Sequence, residues 1–245
     1  MSFVAAVGCG MVEVAAAHAD ADRPASAKAV QHAVPNGAAL APVAVRYRVT
    51  ISRRDASKRL RSVVEVWTFQ RTEQRITLIR GDIEEHWMRD ERGTVRFERV
   101  FHADQRVVDY TAGELATLGI DVSWDALATF VDSRELATLK RVGGGARATQ
   151  RYSGKAGSRS IDVEWSAQAG LPVQLTRTSA DGRAQFELLE SHASAPASWP
   201  VPGVRSVDYL HVDSADFGDM NDDPFVRKAE AFDVRLGWRK AHAHD

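Results

Sequence analysis

Cysteine is almost missing from this chain: 245 residues carry one, Cys9. A lone thiol excludes an intramolecular disulfide framework and a cysteine-ligated metal site. Long hydrophobic runs are missing too, as the interior has no apolar stretch of the roughly 18 residues that a membrane-spanning helix requires. Neither sign of charge prevails, with 32 Lys and Arg against 33 Asp and Glu and a formal net charge of -1. A chain so balanced has no long-range field to steer it to nucleic acid, so no nucleic-acid partner is expected.

Catalytic signatures are scarce in the same way. There is no Gly-x-Ser-x-Gly nucleophile elbow, and Gly143-Gly144-Gly145 lacks the Lys-Ser/Thr that makes a phosphate loop, so it reads as a turn. Asp216-Phe217-Gly218 spells the magnesium motif of kinases without a Gly-rich loop or a His-Arg-Asp loop to accompany it. His86, His102, His192 and His211 fall on or near strands, where an isolated histidine is usually structural; His102-Ala103-Asp104 would orient an imidazole if the two side chains met. His242-Ala243-His244 sits at a terminus without the surrounding partners that fix metal ligands. The expectation is a protein that is not an enzyme, with no cofactor and no resident metal.

What is present is enough apolar material, 44% of residues, to bury one sizeable core. Residues 1–19 read as an export signal: Met1 to Val12 is apolar and small, and Ala17-His18-Ala19 offers a small-x-small cleavage pattern, although no Lys or Arg precedes the run and Glu13 interrupts it. A periplasmic location follows. Cys9 after Ala6-Val7-Gly8 resembles the lipobox at which bacterial lipoproteins are acylated, which would add a lipid anchor; the plainer alternative is a small residue within the signal. Residues 20–42, rich in Ala and Pro, read as a flexible tether, and 43–245 as a single β-rich domain.

Within that domain Val43, Val45, Tyr47, Val49 and Ile51 alternate with Arg46, Arg48, Thr50 and Ser52, the pattern of a strand with one buried and one wet face. Strand-length segments continue to about Tyr110. Ser62 to Phe69, Arg75 to Arg80 and Ile83 to Arg89 are apolar on both sides, so both faces of the middle sheet call for cover. Ser123 and Ser133 open two short helices, Trp124 to Val131 and Arg134 to Arg141. Four further strands follow, Ala146 to Tyr152, Ser160 to Trp165, Leu171 to Thr178 and Arg183 to Glu190, the last three joined by Gly-bearing hairpin turns. After a Pro-rich break at Pro196 to Pro202, Arg205 to Val212 reads as one more strand, and Pro224 starts a C-terminal helix. The expected fold is mainly β (α+β): a curved antiparallel half-barrel sheet of eight to eleven strands, two short helices between its halves and one at the C-terminus.

Two features invite a functional reading. Trp67, Phe69, Trp87 and Phe97, with Trp165, are either the filled core of the sheet or the lining of a cavity for an apolar ligand. Asp213 to Asp223 carries five carboxylates in eleven residues, but its spacing is not that of an EF-hand. Asp219, Asp222 and Asp223 precede Pro224 and are expected to cap the final helix in preference to holding a cation.

Ser160-Ile161-Asp162-Val163-Glu164-Trp165, then Gly170-Leu171-Pro172-Val173-Gln174-Leu175 and Asp181-Gly182-Arg183, resemble the strand pattern of the periplasmic lipoprotein-carrier family, the Lol-type carriers. The resemblance implies an exported half-barrel closed by helices over an apolar cavity for acyl chains. It makes the leading expectation an envelope protein that holds a lipid, a lipoprotein acyl chain or another apolar molecule through Trp67, Phe69, Trp87 and Phe97, with peripheral contact to the envelope membrane. The alternative is a filled sheet that serves as a scaffold and binds a protein partner through its loops.

Overall fold

The structure, a computed structural model, describes residues 40–55, 57–121, 123–144 and 149–239. The signal, Cys9, the tether to residue 39, Gly145 and the His242-Ala243-His244 pair lie outside the described residues. Twelve strands form one open, curved sheet. Six strands run consecutively through the first half: β1 (Val43–Arg54), β2 (Leu60–Arg71), β3 (Arg75–Arg80), β4 (Ile83–Arg89), β5 (Val95–Phe101) and β6 (Arg106–Tyr110). Three short helices follow, α1 (Ala112–Thr117), α2 (Trp124–Thr129) and α3 (Ser133–Thr138). The second half comprises β7 (Lys140–Gly144), β8 (Thr149–Ala156), β9 (Arg159–Ser166), β10 (Leu171–Thr178) and β11 (Gly182–His192). The chain closes with β12 (Leu210–Asp213) and α4 (Pro224–Leu236).

The sheet order β12-β6-β5-β4-β3-β2-β1-β11-β10-β9-β8-β7 describes two meanders joined where β1 meets β11, Val49 standing opposite Phe186. Every pairing is antiparallel except β12 with β6. Local chemistry explains most boundaries. Ser123 accepts the Ala126 N–H at the start of α2, and Asp223 accepts the Phe225 N–H at the start of α4, which begins on Pro224. Gly237 ends α4 at φ 77°, a conformation that favours glycine. The buried residues of α4, Phe225, Val226, Ala229, Phe232, Asp233 and Leu236, form the stripe that an amphipathic helix lays on a core.

The expected fold class holds, with corrections in detail. Among the described residues there are twelve strands, and three helices precede the second half because Thr111 and Glu114 build a capping box that starts α1 beyond Tyr110. Asp132, not Ser133, caps α3. The chain past Leu139 runs on as β7, so Gly143 and Gly144 belong to a strand and not to a turn. The segment expected as a strand from Arg205 divides into a 3-10 turn at Val204–Ser206 and β12. Cover on the outer face is uneven. Trp199 packs against Arg46 of β1 and His192 of β11, and Gly203 and Tyr209 contact Glu84 and His102 beside β3 to β5, where Glu84, His86 and Thr77 are buried, whereas Val64 and Val66 of β2 stay 61% and 53% exposed.

Candidate functional site

Alternation along each strand sends Trp67, Phe69, Trp87 and Phe97 to the concave face, and the helices close over them. They form two clusters. Trp67 meets Phe186 of β11 edge to face at 5.6 Å, and Phe69 lies 4.6 Å from Phe130, which ends α2 in a left-handed conformation. Trp87 and Phe97 lie 4.3 Å apart, and Phe97 also touches Tyr110 at 5.3 Å and Trp238 at 5.1 Å. None of the four is more than 8% exposed. Trp165 is likewise buried on β9. Phe130, Phe186 and Trp238, which complete these clusters, escaped the sequence reading; the alternation of β11 would have flagged Phe186 alone.

Between the second cluster and α4 lies a buried charge network. Arg99 donates through Nη1 to Asp233 Oδ1 (2.6 Å) and through Nε to Glu85 Oε1 (3.0 Å), while Arg80 donates to the same Glu85 oxygen (2.8 Å). Tyr110 donates to Asp233, and Arg239 binds its other oxygen at 3.2 Å. The Arg99 guanidinium has four aromatic faces around it, Trp238 at 4.6, Phe232 at 4.7, Phe97 at 5.0 and Tyr110 at 5.7 Å. Burial opposes its charge, yet Tyr110, Glu85 and Asp233 outweigh burial and hold it protonated. A charged pair here fills space that an apolar ligand would need.

A second arginine ties the other half together. Arg71, at the end of β2, donates to the carbonyls of Ala128 (2.6 Å), Ala169 (2.9 Å), Gly170 (3.3 Å) and Ala41 (3.0 Å). One side chain therefore fastens α2 and the β9–β10 turn to the sheet. Burial pulls its pKa down to about 10, with Tyr47 opposing, which leaves it charged at neutral pH.

On the outer face Glu84 joins two histidines. His102 Nε2 lies 3.1 Å from Glu84 Oε2, and His86 Nε2 lies 3.0 Å from Oε1, which also accepts the Gly203 N–H at 2.8 Å. Arg75 approaches His86 Nδ1 at 3.0 Å, and because arginine only donates, Nδ1 is the acceptor of that bond. Burial raises the Glu84 pKa, but the His86, Gly203 and His102 contacts outweigh it and hold the carboxyl below its ordinary value. Asp104 does not meet His102, since it binds Lys228, whereas His102 faces Glu84 and Tyr209. Of the other two strand histidines, His211 pairs with Asp109 and His192 with Glu190, both at the surface.

Two carboxylates of the acidic segment, Asp213 and Asp223, are taken up by neighbouring backbone. Asp213 accepts from Ala215 N–H, Asp223 caps α4, and Phe217 of Asp216-Phe217-Gly218 is buried beneath the Arg239 guanidinium at 4.9 Å. Asp219 and Asp222 are exposed and cap nothing in α4, which corrects their expected role. Among the described residues no group of three His, Cys, Asp or Glu converges as metal ligands would.

Among the described residues, hollows open on the surface at two places considered for a ligand. One of about 280 Å³ lies between Phe130, Glu135 and Arg177; the other, of about 520 Å³, lies between Arg75, Met88, Arg89 and Arg96. Neither is lined by Trp67, Phe69, Trp87 or Phe97. Compared with known proteins, the chain matches no family model and no curated protein.

Proposed function

We propose that this chain is a non-enzymatic interaction module of the bacterial envelope, in which the sheet is a filled, rigid scaffold and the exposed loops and edges bind a protein partner. One observation carries the reading: Trp67, Phe69, Trp87 and Phe97 are each packed against rings supplied by the fold itself, with Arg99 and Asp233 wedged beside them. Close-packed interiors have few voids larger than a water molecule, and a ligand would have to displace this packing. Titration with a fluorescent long-chain fatty acid tests it. No saturable binding and no co-purifying lipid are expected; stoichiometric uptake that Phe97→Ala abolishes would overturn the reading.

A second reading rests on Arg71. The carrier resemblance implies acyl chains held beneath a helical cover, and here a single guanidinium fastens α2 through backbone carbonyls, the arrangement of a latch. On that reading Arg71→Ala acquires affinity for the same fatty acid that the wild-type protein lacks. On the scaffold reading it only loses stability.

A further inference from the structure

We infer that residues 60–66 of β2 form a docking edge for an extended, acidic segment of a partner protein, which adds to the sheet as a further strand; this rests on the interaction-module reading above. β3 pairs only with Trp67–Arg71, so among the described residues Leu60 to Val66 has β1 on one side and no strand on the other. The hydrogen-bond phase is fixed from both ends. Asp55 N–H donates to Arg59 O in the β1–β2 turn, and Thr72 N–H donates to Arg75 O in the β2–β3 turn. In an antiparallel ladder the bonded pairs alternate, so odd-numbered residues of β2 bond to β1. Leu60, Ser62, Val64 and Val66 therefore direct their N–H and C=O groups outward.

The side chains of these same four residues share the outer face, where Leu60 and Val64 are each 61% and Val66 is 53% exposed. Natural sheets guard such an edge with charge, proline or a bulge; here Arg61 and Glu65 lie on the concave side, but none of the four outer-face residues is charged, and the β1–β2 register runs without a bulge. An open edge with an apolar row beside it is the surface that strand addition uses, with backbone bonds for affinity and alternate side chains for selectivity.

Charge and shape choose the occupant. The adjoining hairpin carries Arg54, Lys58, Arg59 and Arg61 around the carboxylate of Asp55, so the incoming segment is acidic at that end. The slot is closed at its other end, where Arg80 of β3 sits opposite Trp67. Two copies paired edge to edge about Val63 would each drive Arg59 onto the level of the other's Trp67, a place that Arg80 already fills, so a second copy fits poorly. A lipid surface would leave the outward N–H and C=O groups without partners. A strand satisfies them.

The test is amide exchange and chemical-shift mapping with a synthetic peptide of alternating valine and threonine followed by two glutamates, which an antiparallel strand brings to the hairpin tip. Bound peptide is expected to slow exchange at Ser62, Val64 and Val66 by about tenfold or more while Arg61, Val63 and Glu65, already bonded to β1, stay unchanged. Val64→Pro removes an outward N–H without touching a β1 bond and is expected to abolish binding, and Lys58→Glu with Arg59→Glu to weaken it at least about tenfold. N-methylating the peptide's valines should abolish binding to the wild-type protein, a control that needs no variant to fold. No binding, equal binding of the N-methylated peptide, or shifts confined elsewhere overturns the inference. So does attachment to phosphatidylglycerol–phosphatidylcholine vesicles that survives Val64→Pro, or a dimer in sedimentation that Val64→Pro dissolves. Each of those outcomes leaves the filled-core reading standing, because that reading fails only on fatty-acid uptake.

Discussion

Arg99 on β5 and Asp233 on α4 lie 2.6 Å apart, and neither side chain has any exposed surface. The pair ties the last helix to a strand 134 residues earlier in the chain. Removing Asp233 leaves buried Arg99 and Arg80 sharing the single carboxylate of Glu85, so Asp233→Ala is expected to destabilise the fold by about 3–5 kcal/mol. Replacing both, as Arg99→Met with Asp233→Leu, should recover most of that loss. Urea melts of the two variants decide the matter; a loss under about 1 kcal/mol for Asp233→Ala would mean that α4 is held by its apolar stripe alone.

Arg71→Ala removes hydrogen bonds to three chain segments. With each bond to a charged donor worth about 1.5–3 kcal/mol, a loss of at least about 2 kcal/mol is expected. Amide exchange should quicken most in α2 and the β9–β10 turn. Uniform quickening across the sheet would show that Arg71 does not act as a local fastener.

Glu84 makes stability depend on pH. Its folded pKa lies below the ordinary 4.5, so the carboxylate contributes stability that is fully present above that value and is lost as pH falls through the folded value. Glu84→Gln should therefore lower the melting temperature at pH 7, and the gap to wild type should close as the pH drops below about 4.5. A gap that does not change with pH would assign the effect to packing.

Asp223→Ala is expected to cost about 0.5–2 kcal/mol by uncapping α4. A chelator should leave the melting temperature of the wild-type protein unchanged, since Asp223 accepts from the α4 backbone and no group of metal ligands converges here among the described residues. A marked fall on chelation, restored by added Ca²⁺, would show that residues 213–223 bind metal.

Phe97→Ala opens a cavity among Trp87, Tyr110 and Trp238, and about 3–5 kcal/mol of destabilisation is expected. Were the site a ligand lining with room to spare, truncation would cost far less.

Much of this molecule was legible in one dimension. The clean alternation of Val43 to Ile51 defined β1 and its buried face, Ser123 and Pro224 marked helix starts, and the hairpin turns of the second half set β9 to β11. These are local matters, decided by the two-residue period of a strand and by single caps. The same local logic overreached at β2, where Val64 and Val66 look buried by composition and are not, because β3 is too short to carry the sheet past them. It also paired His102 with Asp104 by proximity in sequence, while the turn between them sends one to Glu84 and the other to Lys228.

The sequence by itself determined that the chain is β-rich, where most strands lie and which face of β1 is apolar, since periodicity and capping act over a few residues. Only the tertiary structure decided that β1 joins β11, that Arg99 finds Asp233, that Trp67, Phe69, Trp87 and Phe97 are covered by Phe130, Phe186 and Trp238, and that the edge at Leu60 to Val66 is left open. Each of those depends on segments far apart in the chain meeting in one register, and hydrophobic burial, which drives such meetings, carries no direction of its own.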